Sequence, residues 1–294
     1  MSKKTIAVAG ATGAQGGGLV RAILEDRASE FAVRALTRKT DSEKAKELAN
    51  LGADVVAANF DSVADLKKAF DGAYGAYLVT NFWEHFSPAK EQAQAQAMAQ
   101  AAKAARLEHV IWSTLEDTRI RIPLSDPRMP TLQEKFKVPH FDAKGEANKF
   151  FSDLRVPTTF FHTSFYWENL IFFGMGPKKG PDGKLAFTLP MADKKLPGIA
   201  VADIGKCAYG VFKRGAEYIG KSVGVAGEHL TGTQMAAELG KALGQDVVYN
   251  AVTAEAYRGF GFSGAEDLGN MFQYKAEFEM EFCGARDLGV SRAL

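Results

Sequence analysis

A short apolar run, Thr5-Ile6-Ala7-Val8-Ala9, passes straight into Gly10-Ala11-Thr12-Gly13-Ala14-Gln15-Gly16, and this junction constrains the fold more than any other stretch of the 294 residues. The run reads as a buried strand. Leu19, Val20, Ile23 and Leu24 then recur at helical spacing. A second strand, Phe31 to Leu36, follows at the distance expected of a βαβ unit. Glycines at 10, 13 and 16 suit three separate needs: a tight turn, a backbone that approaches phosphates without a β-carbon, and a helix packed close to the sheet. Unpaired N–H groups and the positive end of the helix dipole face an anion there. Residues 10–16 are therefore candidates to hold the pyrophosphate of a dinucleotide. The competing reading is a plain glycine turn with no ligand.

The spacing is GxxGxxG, which resembles the extended and atypical short-chain dehydrogenase/reductases more than the GxGxxG of NAD dehydrogenases. The end of the second strand selects the cofactor. Where an NAD site carries Asp or Glu for the ribose 2′-hydroxyl, this chain carries Thr37-Arg38-Lys39-Thr40. A guanidinium and an ammonium pair well with a 2′-phosphate, so Arg38, Lys39 and Thr40 favour NADP(H). A solvated basic turn is the alternative. Asn59-Phe60-Asp61, after the third strand, places Phe60 and Asp61 at the adenine edge.

Bulk properties narrow the remaining classes. A net charge of +1 gives no general attraction to nucleic acid, so no direct nucleic-acid contact is expected. Two cysteines, Cys207 and Cys283, give neither a disulfide framework nor a zinc spacing, and the five histidines show no ligand spacing, so no metal is expected. The chain enters a strand at once, without a signal-peptide pattern, and no apolar run approaches the ~18 residues of a membrane span. The expectation is a soluble, cytoplasmic protein.

Strands are expected at 4–9, 31–37, 54–58, 74–80, 108–114 and 157–163, with helices at 16–27, 41–51, 62–71, 87–106 and 141–154. This alternation predicts an α/β fold: a doubly wound, Rossmann-like parallel sheet with its ligand along the strand C-terminal ends. Composition shifts after residue 163. The expected division is an NADP-binding domain over 1–163 and a smaller substrate or partner region over 164–294, interleaved with the sheet edge. The aromatic run Phe165-Tyr166-Trp167-Glu168-Asn169-Leu170-Ile171-Phe172-Phe173 either walls a substrate pocket or caps the core. A further helix is expected near 232–243. The proline-bearing stretch from Asp117 to Pro139 is long for a loop and reads as a lid, a contact surface or a passive excursion.

Short-chain reductases transfer hydride with a Tyr-x-x-x-Lys pair on one helix face. The matching helix here begins His140-Phe141-Asp142-Ala143-Lys144: the lysine is present and a histidine replaces the tyrosine. Imidazole can move a proton near neutral pH. It is shorter than a phenol, and misplacement on the order of 1 Å costs ~100-fold in rate. His140 is thus a candidate catalytic acid, with a polar helix-start residue as the alternative. Lys144 fits a cofactor ligand better than a catalyst. Ser113, with Thr114 at the end of the fifth strand, can polarise a carbonyl, contact the nicotinamide end or simply finish the strand. Thr80, Asn81 and Phe82 end the fourth strand under the expected nicotinamide ribose.

Together these motifs resemble the NmrA-like family, and within it the HSCARG-type NADPH redox-sensor branch. The resemblance covers nearly the whole chain. It rests on Gly10 to Gly17, Val79-Thr80-Asn81-Phe82-Trp83-Glu84, His140 to Glu146, Glu168-Asn169-Leu170, and Phe262 to Leu268 with Asn270-Met271-Phe272. It implies an atypical short-chain reductase fold that binds NADP(H) and often lacks hydride transfer. It further implies that Arg38 and its followers hold the adenosine phosphate, that Thr80, Asn81 and Phe82 hold the central ribose region, that Lys144 reaches the nicotinamide ribose, and that Tyr166, Trp167, Glu168 and Asn169 close over the nicotinamide. Regulation through a protein partner, with nucleotide state as the signal, is the function it implies. An NADPH-dependent reductase of a quinone, enone or aromatic carbonyl compound is the alternative. A small aromatic substrate and a homodimer stay open.

Overall fold

A computed structural model describes residues 2–180 and 182–294. Strands β1 (Lys4–Val8), β2 (Phe31–Thr37), β3 (Asp54–Ala57), β4 (Gly75–Leu78), β5 (His109–Thr114) and β6 (Thr158–His162) alternate with helices α1 (Ala14–Glu25), α2 (Glu43–Asn50), α3 (Val63–Phe70), α4 (Pro88–Ala104) and α5 (Pro139–Asp153). Each lies on the stretch that the sequence pattern marks, with ends shifted by at most two residues. The boundaries have local causes. Ser42, Ser62 and Ser87 accept the N3 amides of α2, α3 and α4, and Pro88 and Pro139 start α4 and α5 where no amide partner is needed.

The rest of the chain forms β7 (Phe165–Tyr166), α6 (Asn169–Phe172), β8 (Lys178–Lys179), β9 (Leu185–Leu189), β10 (Lys195–Ile199), α7 (Val201–Arg214), β11 (Ser222–Gly224), β12 (Glu228–Thr231), α8 (Gly232–Leu243), β13 (Val247–Ala251), α9 (Ala254–Arg258), α10 (Ala265–Glu277), α11 (Glu279–Gly284) and α12 (Leu288–Ala293). The expected helix near 232–243 is α8.

Seven strands make one parallel sheet in the order β11-β6-β5-β4-β1-β2-β3. The order reverses between β1 and β4, which opens a crevice at their C-terminal ends. Side chains alternate across β1. Ile6 and Val8 face a layer built from Leu19, Val20 and Ile23 of α1 and Ile204, Val211 and Phe212 of α7. Ala7 and Ala9 face Leu66, Phe70, Met98 and Phe151 on α3, α4 and α5. Burial on both faces explains why β4 and β5 are buried throughout.

Residues beyond 163 return to this layer. β11 pairs with β6, and α7 lies on α1. At that crossing the helices meet backbone to backbone: a β-carbon on Gly205 would sit 2.1 Å from the Gly18 carbonyl carbon. Two small sheets, β12-β10-β7 and β13-β9-β8, cover a third core with Phe165, Phe187, Leu196, Phe272 and Phe282. The stretch from Asp117 to Pro139 is tied down. Ile122, Met129 and Val138 are buried, and the Lys137 ammonium donates to the carbonyls of Asp126 (2.8 Å) and Met129 (2.6 Å).

Candidate functional site

The glycine turn lies where β1 hands over to α1. Gly10 has φ +65°, a conformation other residues adopt at a cost. A β-carbon on Gly16 would sit 2.5 Å from the Gly10 carbonyl oxygen, and one on Gly13 would sit 3.2 Å from it. Gly13 is the N-cap residue of α1 and supplies no side-chain cap, and no acidic side chain occupies the first turn. The helix therefore presents its first amides and dipole to the crevice without an internal anion. Gly13 and Ala14 are exposed, Thr12 is half-buried and Ala11 is buried.

Gln15 ties the crevice together. Its carboxamide oxygen accepts from the Tyr77 hydroxyl and from Ser113 Oγ (2.7 Å), and its Nε2 donates to the Tyr166 hydroxyl. Burial pushes both tyrosines above the ordinary phenol value, so both stay protonated near neutral pH. The expected residues Gln15, Ser113 and Tyr166 thus form one cluster, although 151 positions separate Gln15 from Tyr166.

Lys144 and Thr80 form a second cluster. The Lys144 ammonium lies 2.7 Å from Thr80 Oγ1, 3.2 Å from the Thr80 carbonyl and 2.7 Å from Glu91 Oε1, with the Trp112 ring 5.2 Å away. Glu91, on α4, is fully buried and also accepts from Thr80 Oγ1. Its second oxygen has no hydrogen-bond partner and lies 3.5 Å from His85 Nε2. The Ser87 amide donates to His85 Nδ1, so a neutral His85 carries its proton on Nε2, facing Glu91.

His140, one turn before Lys144 on α5, is held by Asp267 of α10. Its Nδ1 lies 2.6 Å from Asp267 Oδ1, and its backbone amide donates to Oδ2 at 3.2 Å. A carboxylate only accepts, so the proton sits on Nδ1 and Nε2 is left to other partners. Trp83 and Phe82 pack on the ring at 4.7 and 5.9 Å between centroids. A cavity of about 410 Å³ opens beside this pair, lined among others by Phe82, Phe86, Pro139, Arg258, Phe262 and Asp267.

Most of the residues expected at an adenine end are exposed. Arg38, Lys39 and Thr40 all face solvent, and the Arg38 guanidinium makes a two-pronged ion pair with Glu84 (2.5 and 2.9 Å). Asp61 accepts from Gln94 Nε2 at 2.9 Å, while half-buried Phe60 packs against the α3–α4 core. Asn81 is exposed and precedes the short 3-10 turn Phe82–Glu84.

The aromatic run divides. Phe165 is buried in the third core, Trp167 lies against Gly198 of β10, and Ile171, Phe172 and Phe173 are more than 70% exposed. Both oxygens of Glu168 accept the Val201 amide at 3.0 Å and so cap α7, and Asn169 begins α6. The lining of the 410 Å³ cavity includes no residue of 165–173.

A buried charge cluster that the sequence does not announce joins the strand ends to the C-terminal helices. Fully buried Arg286 donates to both oxygens of Glu116 (2.5 and 3.0 Å) and to the Thr163 carbonyl (2.9 Å). Burial alone would raise the Glu116 carboxyl, but the Arg286 charge and hydrogen bonds outweigh it and hold the group at about 2. Burial holds His162 down to about 4. Buried Lys275 sits among Phe141, Phe272 and Phe282, and burial, aided by the Arg286 charge, pulls it down to about 7. Nothing local in the sequence marks these residues, because their partners lie far along the chain.

Among the described residues no group of three or more His, Cys, Asp or Glu is placed to hold a metal ion, and no helix is long and apolar enough to cross a membrane.

Comparison with known proteins identifies the family and the fold. The sequence profile of the NmrA-like family matches residues 2–286. An NmrA-like family domain-containing protein of Dictyostelium discoideum is 30% identical over 266 residues, 87% of this chain and 83% of its own. NmrA, described as a negative transcriptional regulator and solved with NAD and with NADP, is 24% identical and superposes with TM-scores of 0.78 and 0.77 over 99% of this chain and 91% of its own. An NADPH-dependent quinone oxidoreductase of Escherichia coli, solved with NADPH, is 23% identical with a TM-score of 0.73 over 97% of this chain and 92% of its own. At these identities the structural likeness is one of fold.

Proposed function

The chain belongs to the NmrA-like family, and on that premise we propose that it binds NADP(H) along the β1–β4–β5 strand ends and acts as a nucleotide-sensing regulator without efficient hydride transfer. One observation carries the dinucleotide: α1 meets the crevice uncapped, with glycines where a β-carbon would strike the turn. In this reading the amides of residues 13–16 face the pyrophosphate, Arg38 with Lys39 and Thr40 the 2′-phosphate, Phe60 and Asp61 the adenine edge, and Thr80, Asn81 and Phe82 the central ribose. Lys144 would reach the nicotinamide ribose, and Tyr166, Trp167, Glu168 and Asn169 would close over the nicotinamide. Residues 1–163 would hold most of the nucleotide, and residues 164–294, interleaved with the sheet edge through β11, would close its nicotinamide end and face a substrate or protein partner.

The bound nicotinamide supplies hydride chemistry, and this chain's residues decide whether it is used. The acid in line with Lys144 is an imidazole whose Nδ1 is committed to Asp267. The Lys144 ammonium is shared with Glu91. The shorter ring and the shared ammonium argue against a fast proton relay of the tyrosine–lysine kind, while the Asp267 contact leaves Nε2 as the only nitrogen that can move a proton. Sensing then requires that NADP⁺ and NADPH bind two states of the protein with different affinity.

A second reading, reduction of a quinone, enone or aromatic carbonyl compound, is favoured by the cavity beside His140, where Phe82, Phe86 and Phe262 offer apolar walls. His140, once protonated at Nε2 with Nδ1 still held by Asp267, or Ser113, which lies apart from this cavity beside Gln15, would deliver the proton. Calorimetric titration separates the possibilities. NADP⁺ should bind more tightly than NAD⁺, and Arg38→Asp should weaken NADP⁺ at least tenfold while changing NAD⁺ little. No binding of either nucleotide at millimolar concentration would overturn the dinucleotide reading. Steady NADPH oxidation with a quinone or enone panel, lost in His140→Ala, would establish the reductase instead.

A further inference from the structure

Arg38, the guanidinium that the NADP(H) reading gives to the 2′-phosphate, is already engaged. Glu84 meets it with both oxygens, at 2.5 and 2.9 Å. The pair holds the Glu84 carboxyl below its ordinary range, its hydrogen bond to Arg38 being the main cause. Glu84 ends the 3-10 turn Phe82–Glu84, whose other residues do something different. Phe82 is buried, Trp83 packs edge-on against it at 5.5 Å, and both rest on His140. One short turn therefore touches the adenine end with its carboxylate and the first turn of α5 with its rings.

We infer that Glu84 is a specificity-determining residue: it competes with the 2′-phosphate for Arg38, so it sets how far NADP(H) is preferred over NAD(H). The inference rests on the NADP(H) reading above. Electrostatics disfavours the phosphate whichever guanidinium donors it takes. Should the phosphate take the two N–H groups that Glu84 uses, the carboxylate must leave and its ion pair is lost. Should the phosphate take the remaining donors, a carboxylate and a phosphate are held within a few ångströms on one cation and repel. NAD(H) has a hydroxyl at that position and meets neither cost. Asp61 also faces Arg38, but its oxygen is held by Gln94, so it is a fixed background in both cases. When Glu84 is displaced, the turn carrying Phe82 and Trp83 loses its outer anchor, which couples recognition of the 2′-phosphate to the packing around His140.

The test is Glu84→Gln, an exposed and nearly isosteric change, titrated with NADP⁺, NAD⁺, adenosine 2′,5′-bisphosphate and 5′-AMP. The expected result is about tenfold tighter binding of NADP⁺ and of the bisphosphate, with NAD⁺ and AMP within about twofold of wild type, and a gap that narrows at high salt. In an Arg38→Gln background the same change should give little. Equal tightening of NADP⁺ and NAD⁺, no change in NADP⁺ while the wild type binds it, or a full effect without Arg38 would each overturn the inference and leave the NADP(H) reading standing. Failure of wild type and variant alike to bind NADP⁺ or the bisphosphate would overturn that reading and the inference together.

Discussion

The ammonium of Lys144 and the carboxylate of Glu91 depend on each other. Glu91 has no access to water, and its second oxygen already lacks a partner. Removing either charge strands the other, so Glu91→Gln and Lys144→Met should each cost about 3 kcal/mol, while the double variant recovers part of the loss because neither buried charge remains. Urea unfolding of the three variants closes this cycle. Additive losses would show that the pair does not interact. The sequence made Lys144 and Thr80 legible, since both sit at positions fixed by a strand end and a helix start. It hid Glu91, which lies in a Gln- and Ala-rich helix that looks featureless. Asp267 was hidden for a related reason: its partnership with His140 spans 127 positions, and only tertiary packing creates it.

Elements were more legible than contacts. The strands of the first half announced themselves through apolar runs, and α2, α3 and α4 through their serine caps, because these are local properties. α7 did not stand out, although Ile204, Ala208, Val211 and Phe212 are all buried along it. Its start has no side-chain cap of its own: Glu168 supplies the acceptor from outside. Its close approach to α1 depends on Gly205 and Gly18 together. Gly205→Ala would push a methyl group into the Gly18 backbone, and a loss of about 1–3 kcal/mol is expected from overpacking. Gly284→Ala on α11 is the control, with nothing within 4 Å of the added carbon, and should be neutral or stabilising by up to about 1 kcal/mol. Thermal melts of the two variants read the difference. Equal behaviour would show that the helices separate without cost.

For the whole molecule, the C-terminal helices are fastened to the strand ends by charge as well as by apolar contact. Arg286 and Glu116 make the fastening, and Lys275 works against it. Folded Lys275 sits at about 7 against an ordinary 10.5, so between those values the unfolded chain holds a proton that the folded one lacks. This group's contribution to stability therefore rises with pH from about 7 to 10.5, and its penalty is complete below 7. Lys275→Met should raise the urea midpoint most at about pH 6, with the gain shrinking by about pH 9.5. A lower midpoint at both would mean that the three rings around the ammonium outweigh its burial.

The alanines of α4 have a consequence of their own. Ala95, Ala97, Ala99, Ala101 and Ala102 are all buried, so the layer between this helix and its neighbours is lined largely by methyl groups. A layer that thin lets a side chain as short as glutamate cross from the helix to the strand end. What looks like compositional filler acts as a spacer, and a bulkier residue at Ala95, one turn along α4 from Glu91, would press the helix away from the layer that its carboxylate crosses.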